Sequence, residues 1–376
     1  MPWSTRDTMS LREEFVALAR QEGANRRELC RRFGISPQTG YKWLARSATL
    51  GAAGLGDASR RPHHSPGETS PELQQSIVSL RQQHPAWGAR KLARRLSDLG
   101  QGCLAPSTVN SILKRHGLIS AQASSAATAW QRFEHEAPNS LWQIDFKGYV
   151  STAAGPCHPL TLLDDHSRYN LALRACARQQ TASVKEQLQD VFSRYGLPVR
   201  INADNGAPWG SPREPGQLSE LALWLTRLGV RVSFSSPYHP QTNGKDERFH
   251  RSLKAELLAR RSFQDLAQAQ QQFDRWRRIY NHERPHQALG MNTPASRYRA
   301  SERAYPRTLP PLEYGPNDTV VKVGWLGEVR FKSKRFKVSA ALKDHEIALR
   351  AQPGREGCYD VYFVHHKLRE IDLREA

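Results

Sequence analysis

Apolar positions recur at helical spacing through the first 120 residues, broken by polar residues of the kind that open helices. Ser10 with Glu13, Asn25 with Glu28, and Ser36 followed by Pro37 each carry an N-cap signature. Three short helices are therefore expected before residue 47. Between the second and third stands Arg31-Arg32-Phe33-Gly34-Ile35-Ser36, where Gly34 can take the positive φ of a tight turn and Ile35 can pack beneath it. That is the shape of a helix-turn-helix, with Pro37 to Arg46 as its last helix. Residues 47–71 are rich in Gly, Ala, Ser and Pro, have no period and read as a linker whose Arg60-Arg61 pair could track a phosphate backbone. A second helical trio follows, Glu72 to Gln83 with Leu73, Ile77 and Leu80 on one stripe, Ala89 to Leu99, and Ser107 to His116. It reads as a second helix-turn-helix, followed by an Ala-Ser connector from Ala121 to Ala129.

Past residue 140 the period of 3.6 gives way to short apolar runs bounded by turn residues. Strands are expected at Leu141 to Phe146, Leu160 to Leu163, Tyr169 to Ala175, Val199 to Ala203 and Val230 to Phe234. Helices Ala182 to Tyr195, Leu218 to Leu228 and Lys245 to Arg261 interleave with the later strands, and Phe263 to Tyr280 adds one more. Three strands in a meander followed by alternating helices and strands is the order of a ribonuclease-H-like α/β core. After a Pro-rich break, strand-like alternation at Val320 to Val323, Glu328 to Lys332, Arg335 to Ser339, Ile347 to Arg350 and Tyr359 to Val364 suggests a small basic β-barrel. The expected organisation is multidomain. All-α helix-turn-helix domains occupy 1–47 and 71–120, with linkers at 48–70 and 121–135. The α/β core spans 136–300 and the barrel 316–376.

Composition sharpens this. At about 150 residues per domain, 376 residues hold two or three domains, each able to bury a core. Lys and Arg number 55 against 36 Asp and Glu, a net charge of +19, and a chain this basic meets a polyanion, nucleic acid first. The five cysteines show no CxxC pair, which fits a reducing compartment, disfavours zinc or disulfide frameworks, and leaves them as core residues. No apolar run of membrane-spanning length and no export signal stand in the sequence, so an intracellular protein is expected.

Three acids stand in settings that call for an explanation. Asp145 lies inside the apolar strand Trp142-Gln143-Ile144-Asp145-Phe146, Asp204 directly follows Ile201-Asn202-Ala203, and Glu247 opens a helix. A carboxylate in or ending a core strand is costly to bury unpaired. If the first and fourth strands are neighbours, Asp145 and Asp204 sit side by side, and the first turn of the helix can bring Glu247 to the same edge. Such a cluster attracts Mg²⁺ or Mn²⁺, which take oxygen ligands. Two ions about 4 Å apart can activate an attacking oxygen and stabilise a leaving one in phosphoryl transfer.

Five blocks in order, Trp142 to Phe146, Leu163-Asp164-Asp165-His166-Ser167-Arg168-Tyr169, Asp204-Asn205-Gly206, Pro237 to Arg248 (PYHPQTNGKDER) and Tyr280-Asn281-His282-Glu283-Arg284-Pro285-His286, closely resemble bacterial insertion-sequence transposases with a retroviral-integrase-type core. The resemblance spans roughly residues 10 to 370 and implies a DDE triad of Asp145, Asp204 and Glu247, catalytic and metal-binding, with Mg²⁺ or Mn²⁺ as cofactor. It also implies cleavage and transfer of DNA strands at terminal inverted repeats. The partners it implies are element ends and target DNA, with a homo-oligomer on DNA, no membrane and no small-molecule substrate. The compartment is the bacterial cytoplasm at the nucleoid. One departure is that 42 residues separate Asp204 from Glu247, more than in close integrase relatives. The Pro/Gly-rich loop Ala207 to Gly216 accounts for the surplus and is expected to lie outside the core and tolerate shortening.

Asp164 and Asp165 read as a hairpin turn with Arg168 paired to an acid, so Asp165→Asn is expected to be silent. Candidate DNA contacts are Gln38, Thr39, Tyr41, Lys42 and Arg46 on the first recognition helix, and Arg90, Lys91 and Arg94 in the second trio. His239, Asn243, Lys245, Arg248 and Lys254 flank the third acid. The Tyr280 to His286 block with Arg277 and Arg278 reads as a solvated basic surface, or else as a turn packing the last core helix. The retroviral zinc pattern is missing, since His63-His64 has no cysteine pair. Two other functions compete: a catalytically silent DNA-binding regulator, and a hydrolase that cuts nucleic acid without strand transfer.

Overall fold

The computed structural model describes residues 7–57, 67–119, 134–204, 206–210, 219–234 and 244–374. The chain divides into two compact units, Met1–Thr69 and Ser70–Ala376.

In the first unit, α1 (Thr8–Ala19), α2 (Arg26–Arg32) and α3 (Pro37–Leu50) enclose a core of Phe15, Val16, Ala19, Cys30, Trp43 and Leu55. Asn25 caps α2 by accepting from the Glu28 amide, and Ser36 caps α3 by accepting from the Thr39 amide. Gly34 has φ +64°, as the tight turn between those helices requires. Gly40 lies so close to Cys30 and Phe15 that a Cβ would meet them at 2.5 and 2.8 Å. Two expectations change here. α1 starts at Thr8 with Asp7 at its N-cap, ahead of Ser10. The linker does not begin at residue 47, because α3 runs on to Leu50 and a 3₁₀ turn, Gly51–Leu55, folds back. The backbone carbonyls of Leu55 and Gly56 hold it there, accepting from Arg12 at 2.8 Å and Arg46 at 2.9 Å. Arg60-Arg61 lies outside the described residues.

The second unit opens with α4 (Pro71–Gln83), α5 (Ala89–Asp98) and α6 (Pro106–Arg115), packed on Ile77, Trp87, Leu92, Leu96, Val109 and Ile112. A mixed sheet follows, built from β1 (Trp142–Phe146), β2 (Val150–Thr152), β3 (Gly155–Asp164), β4 (Asn170–Cys176), β5 (Arg200–Ala203) and β6 (Arg231–Phe234). β3 pairs with β4, β2 and β1, and β1 runs parallel to β5, which runs parallel to β6. Leu160 and Leu162 of β3 face α7 (Thr181–Tyr195) and α8 (Glu220–Arg227), whereas Cys157 and Leu163 face α9 (Gly244–Leu253) and α10 (Leu266–His282). The period of two along β3 thus sets a helix pair on each face. α9 continues into a π-helical turn, Lys254–Leu258. Between Leu162 and Leu163 the β3–β4 register slips and Leu171 bulges out of the ladder. Asn281 of α10 serves that bulge, accepting from the Asn170 amide at 2.8 Å and donating to the Asn170 carbonyl at 2.9 Å.

The C-terminal strands are β7 (Thr319–Lys322), β8 (Glu328–Phe331), β9 (Lys334–Lys337), β10 (Glu346–Ala351), β11 (Cys358–Phe363) and β12 (His366–Asp372). They do not form the expected barrel among the described residues: β12-β11-β10-β7 is an open antiparallel sheet and β8-β9 a separate hairpin. Both bury apolar faces in one core with Ala222 and Leu223 of α8, so the helix closes part of the space a barrel would close by hydrogen bonding. Cys30, Cys157, Cys176 and Cys358 are buried as expected, but Cys103 is exposed. No helix among the described residues is long and apolar enough to cross a membrane.

Candidate active site

The site grows from the pairing of β1 with its two neighbours. Asp145 lies opposite Thr161 of β3. The parallel register with β5, Trp142 beside Ile201 and Gln143 beside Asn202, carries on to set Asp145 alongside Asp204, just beyond the end of β5. α9 then turns its buried stripe of Asp246, Phe249, His250 and Leu253 toward the sheet. Ligand atoms of Asp145, Asp246 and His250 all lie within 4.8 Å of one another. His250 Nε2 is 3.4 Å from Asp246 Oδ2, and its Nδ1 is 4.0 Å from Asp145 Oδ2. Thr161 Oγ1 donates to the Asp145 carbonyl at 3.0 Å and lies 2.9 Å from His250 Nε2.

The electrostatics follow from burial. Burial pushes the Asp145 carboxyl up to about 6, with a further push from the charge of Asp204 and opposition from the Phe146 amide. Asp246 is raised well above the ordinary carboxylate range, first by burial and then by Asp145. His250 is brought down to about 3, chiefly by burial, and is a neutral imidazole. Closely set carboxyls that resist losing their protons fit a hard divalent cation at this edge, which would neutralise the repulsion.

The sequence reading therefore finds Asp145 and Asp204 side by side. Glu247 sits in the first turn of α9 but is exposed and stands outside the close cluster, in which its neighbour Asp246 lies instead. Asp246 and His250 escaped the sequence reading, although the stripe 246, 249, 250, 253 and 257 at helical spacing carries them on the buried face.

Asp164 and Asp165 form the expected hairpin, and Arg168 pairs with Glu134 at 3.3 Å. Asp164 accepts from the amides of Asn139 and Ser167 at 2.7 and 2.8 Å. Asp165 does more than turn the chain. It is buried, accepts from Gln143 at 3.0 Å and the His135 amide at 3.1 Å, and pairs with Lys245 at the start of α9. Asp165→Asn would leave Lys245 half-buried beside a neutral amide, a cost that the hairpin reading alone did not include.

Several proposed DNA contacts are engaged inside the protein. Lys245 is held by Asp165. Arg46 bonds the Gly56 carbonyl. Arg94 bonds Asp98 at 2.7 Å and Asn292 at 3.2 Å. Burial, reinforced by Arg284, lowers the Lys91 ammonium to about 8. Thr39 is half-buried against Ser36. Gln38, Tyr41, Lys42, Arg90, Arg248 and Lys254 are exposed, while His239 and Asn243 lie outside the described residues.

The Tyr280 to His286 block is no solvated surface. Tyr280, Asn281, Arg284 and His286 are buried, Arg284 bonds Glu256 of the π-helical turn at 2.8 Å, and Arg277 donates to the Leu171 carbonyl at 2.9 Å. This is the turn that packs α10. The loop after Asp204 is likewise no pure excursion, since Trp209 is buried in the sheet core with its ring 5.9 Å from Phe146. Any shortening must spare it.

Residues 11–63 match a helix-turn-helix domain family and residues 39–113 a homeodomain-like domain family. Residues 135–240 and 228–294 match the integrase core domain, and residues 318–376 the C-terminal domain of IS481 family transposases. The Gag-Pol polyprotein of baboon endogenous virus (strain M7) is 30% identical over 193 residues, 49% of this chain and 11% of that polyprotein. The 39.2 kDa protein of insertion element IS476 from Xanthomonas euvesicatoria is 28% identical over 158 residues, 42% of this chain and 44% of its own length. This chain thus spans less than half the length of either relative. Among solved structures, the HTLV-2 integrase catalytic core domain in complex with magnesium is 16% identical with a TM-score of 0.33, covering 44% of this chain and 99% of that one. With segments that match helix-turn-helix families before it and one that matches the IS481 family C-terminal domain after it, the middle of the chain matches the integrase core domain, and the chain is similar to the insertion-sequence transposases built on that core.

Proposed function

We propose that the protein is a DDE transposase that binds the terminal inverted repeats of an insertion sequence and cuts and joins DNA strands there. The observation that carries this reading is the pairing of β1 with β5, which sets Asp145 and Asp204 on neighbouring strand ends beside the first turn of α9. Asp145, Asp204 and Glu247 would hold Mg²⁺ or Mn²⁺, two ions when loaded, which supply activation of the attacking oxygen and stabilisation of the leaving one. The protein's own contribution is positioning. Asp145 is half-buried at the strand end, and the exposure of Asp204 and Glu247 leaves room for a phosphodiester. Gln38, Tyr41 and Lys42 on α3 would read element ends, with exposed Arg248 and Lys254 touching phosphates near the site. The same reading places a homo-oligomer on two DNA ends in the bacterial cytoplasm at the nucleoid.

The experiment is cleavage and joining of labelled terminal-repeat duplexes in Mg²⁺ or Mn²⁺, with gel shift and melting curves for each variant. Asp145→Asn, Asp204→Asn and Glu247→Gln should each abolish cleavage and joining while end binding persists. Normal cutting by Asp145→Asn would overturn the assignment. Wild-type binding without cutting in either metal would favour the silent regulator, and cutting without joining the hydrolase.

A further inference from the structure

We propose that Thr161, Asp246 and His250 form a brace that positions Asp145 and sets the rotation of α9 for metal capture. The proposal rests on the transposase reading and deepens it. Thr161 is the pivot. Its place opposite Asp145 in the β1–β3 ladder turns its side chain to the α9 face, where the hydroxyl bonds the Asp145 carbonyl at 3.0 Å. The same hydroxyl lies 3.4 Å from Asp246 Oδ1 and 2.9 Å from His250 Nε2, and with its one proton on the nearer Asp145 carbonyl it accepts from the imidazole. The hydrogen on Nε2 then faces Asp246 Oδ2 as well, 3.4 Å away.

The brace therefore ties a strand to a helix at two positions one turn apart, 246 and 250. With both facing the sheet, Glu247 is rotated about 100° away, which is why it alone of the two adjacent acids is exposed. A rotation of α9 that brought Glu247 inward would pull Asp246 and His250 off Thr161. None of the three brace residues belongs to the triad. Asp246 is a buried acid that a helix would not place on its apolar face without partners such as these.

The test uses the full chain, with Mn²⁺ binding followed by calorimetry beside Mn²⁺-titrated cleavage of a terminal-repeat duplex. Thr161→Val keeps the shape and removes the hydroxyl. It should weaken Mn²⁺ binding about tenfold or more, as loss of support behind a ligand typically does, with end binding unchanged. Thr161→Ser keeps the hydroxyl and should bind within about twofold of wild type, a rescue that a packing role would not give. His250→Gln should reproduce the Thr161→Val shift, and it carries the test should Thr161→Val not fold. Wild-type Mn²⁺ affinity in folded Thr161→Val or His250→Gln, or equal impairment of Thr161→Val and Thr161→Ser, would overturn the brace while leaving the triad standing. A wild type that neither binds Mn²⁺ nor cuts would overturn the transposase reading and the brace with it.

Discussion

The two three-helix segments use the same local design and spend their cations in opposite ways. In the first, α3 is capped, its Trp43 is buried beneath Arg12, Lys42 and Arg46, and Gln38, Tyr41 and Lys42 present an exposed polar face. In the second, the basic residues of α5 turn toward the core domain. Arg95 bonds Glu283 at 2.7 Å, Arg94 bonds Asn292, and Ile279 of α10 packs into the helical cluster. A run such as Ala89-Arg90-Lys91-Leu92-Ala93-Arg94-Arg95 looks like a DNA-binding stripe, yet most of its charge is docking chemistry. A net charge raises the expectation of a polyanion partner for the chain, and the contacts each cation makes within the protein narrow down which residues could meet it.

The contrast can be broken experimentally. Arg95→Ala strands half-buried Glu283 and should destabilise the second unit by about 1–3 kcal/mol, read by urea unfolding, with end affinity unchanged. A loss of DNA affinity at constant stability would return α5 to the DNA side. Lys91→Met sharpens the same point through pH. Because the folded-state ammonium is lowered to about 8 from 10.5, the unfolded chain binds more protons between those values and stability rises with pH across that window. The cost is fully present below pH 8, so Lys91→Met should melt higher than wild type at pH 7, with the advantage fading by pH 10.5; an advantage independent of pH would mean packing alone. Smallest in stability is Lys42→Gln, exposed beside Trp43, with a change of about 0.5 kcal/mol. Its effect should lie in weaker end binding and a salt slope reduced by about one. An unchanged slope would remove Lys42 from the interface.

The readable parts of the sequence were those with a local cause. Asn25 with Glu28 and Ser36 with Pro37 announce caps that the structure contains, and the apolar runs of β1, β3, β4, β5 and β6 announce the sheet order. β2 has three residues, too few for a period, and β12 (HKLREID) buries little beyond Ile371 at the sheet's edge, so its alternation is drowned in charge. Trp209 sits among Pro and Gly that signal a loop, and only the tertiary fold reveals the pocket that takes it. In the candidate site, the setting of Asp145 and Asp204 was legible from strand order. Asp246 was hidden because a charged residue on an apolar stripe looks like a break in the pattern until its partners, 85 and 4 residues away, are in place.

The bulge at Leu171 gives the core an internal clock hand. Its Asn170 amide is removed from the β ladder and handed to a side chain on α10, 111 residues along the chain. Hydrogen exchange at that one amide therefore reports the lifting of α10 from the sheet, while amides in the flanking ladder report the opening of the sheet itself. Comparing the two rates in a single exchange experiment would show whether the helix behind the candidate site detaches separately from the strands that carry its acids or opens only when they do.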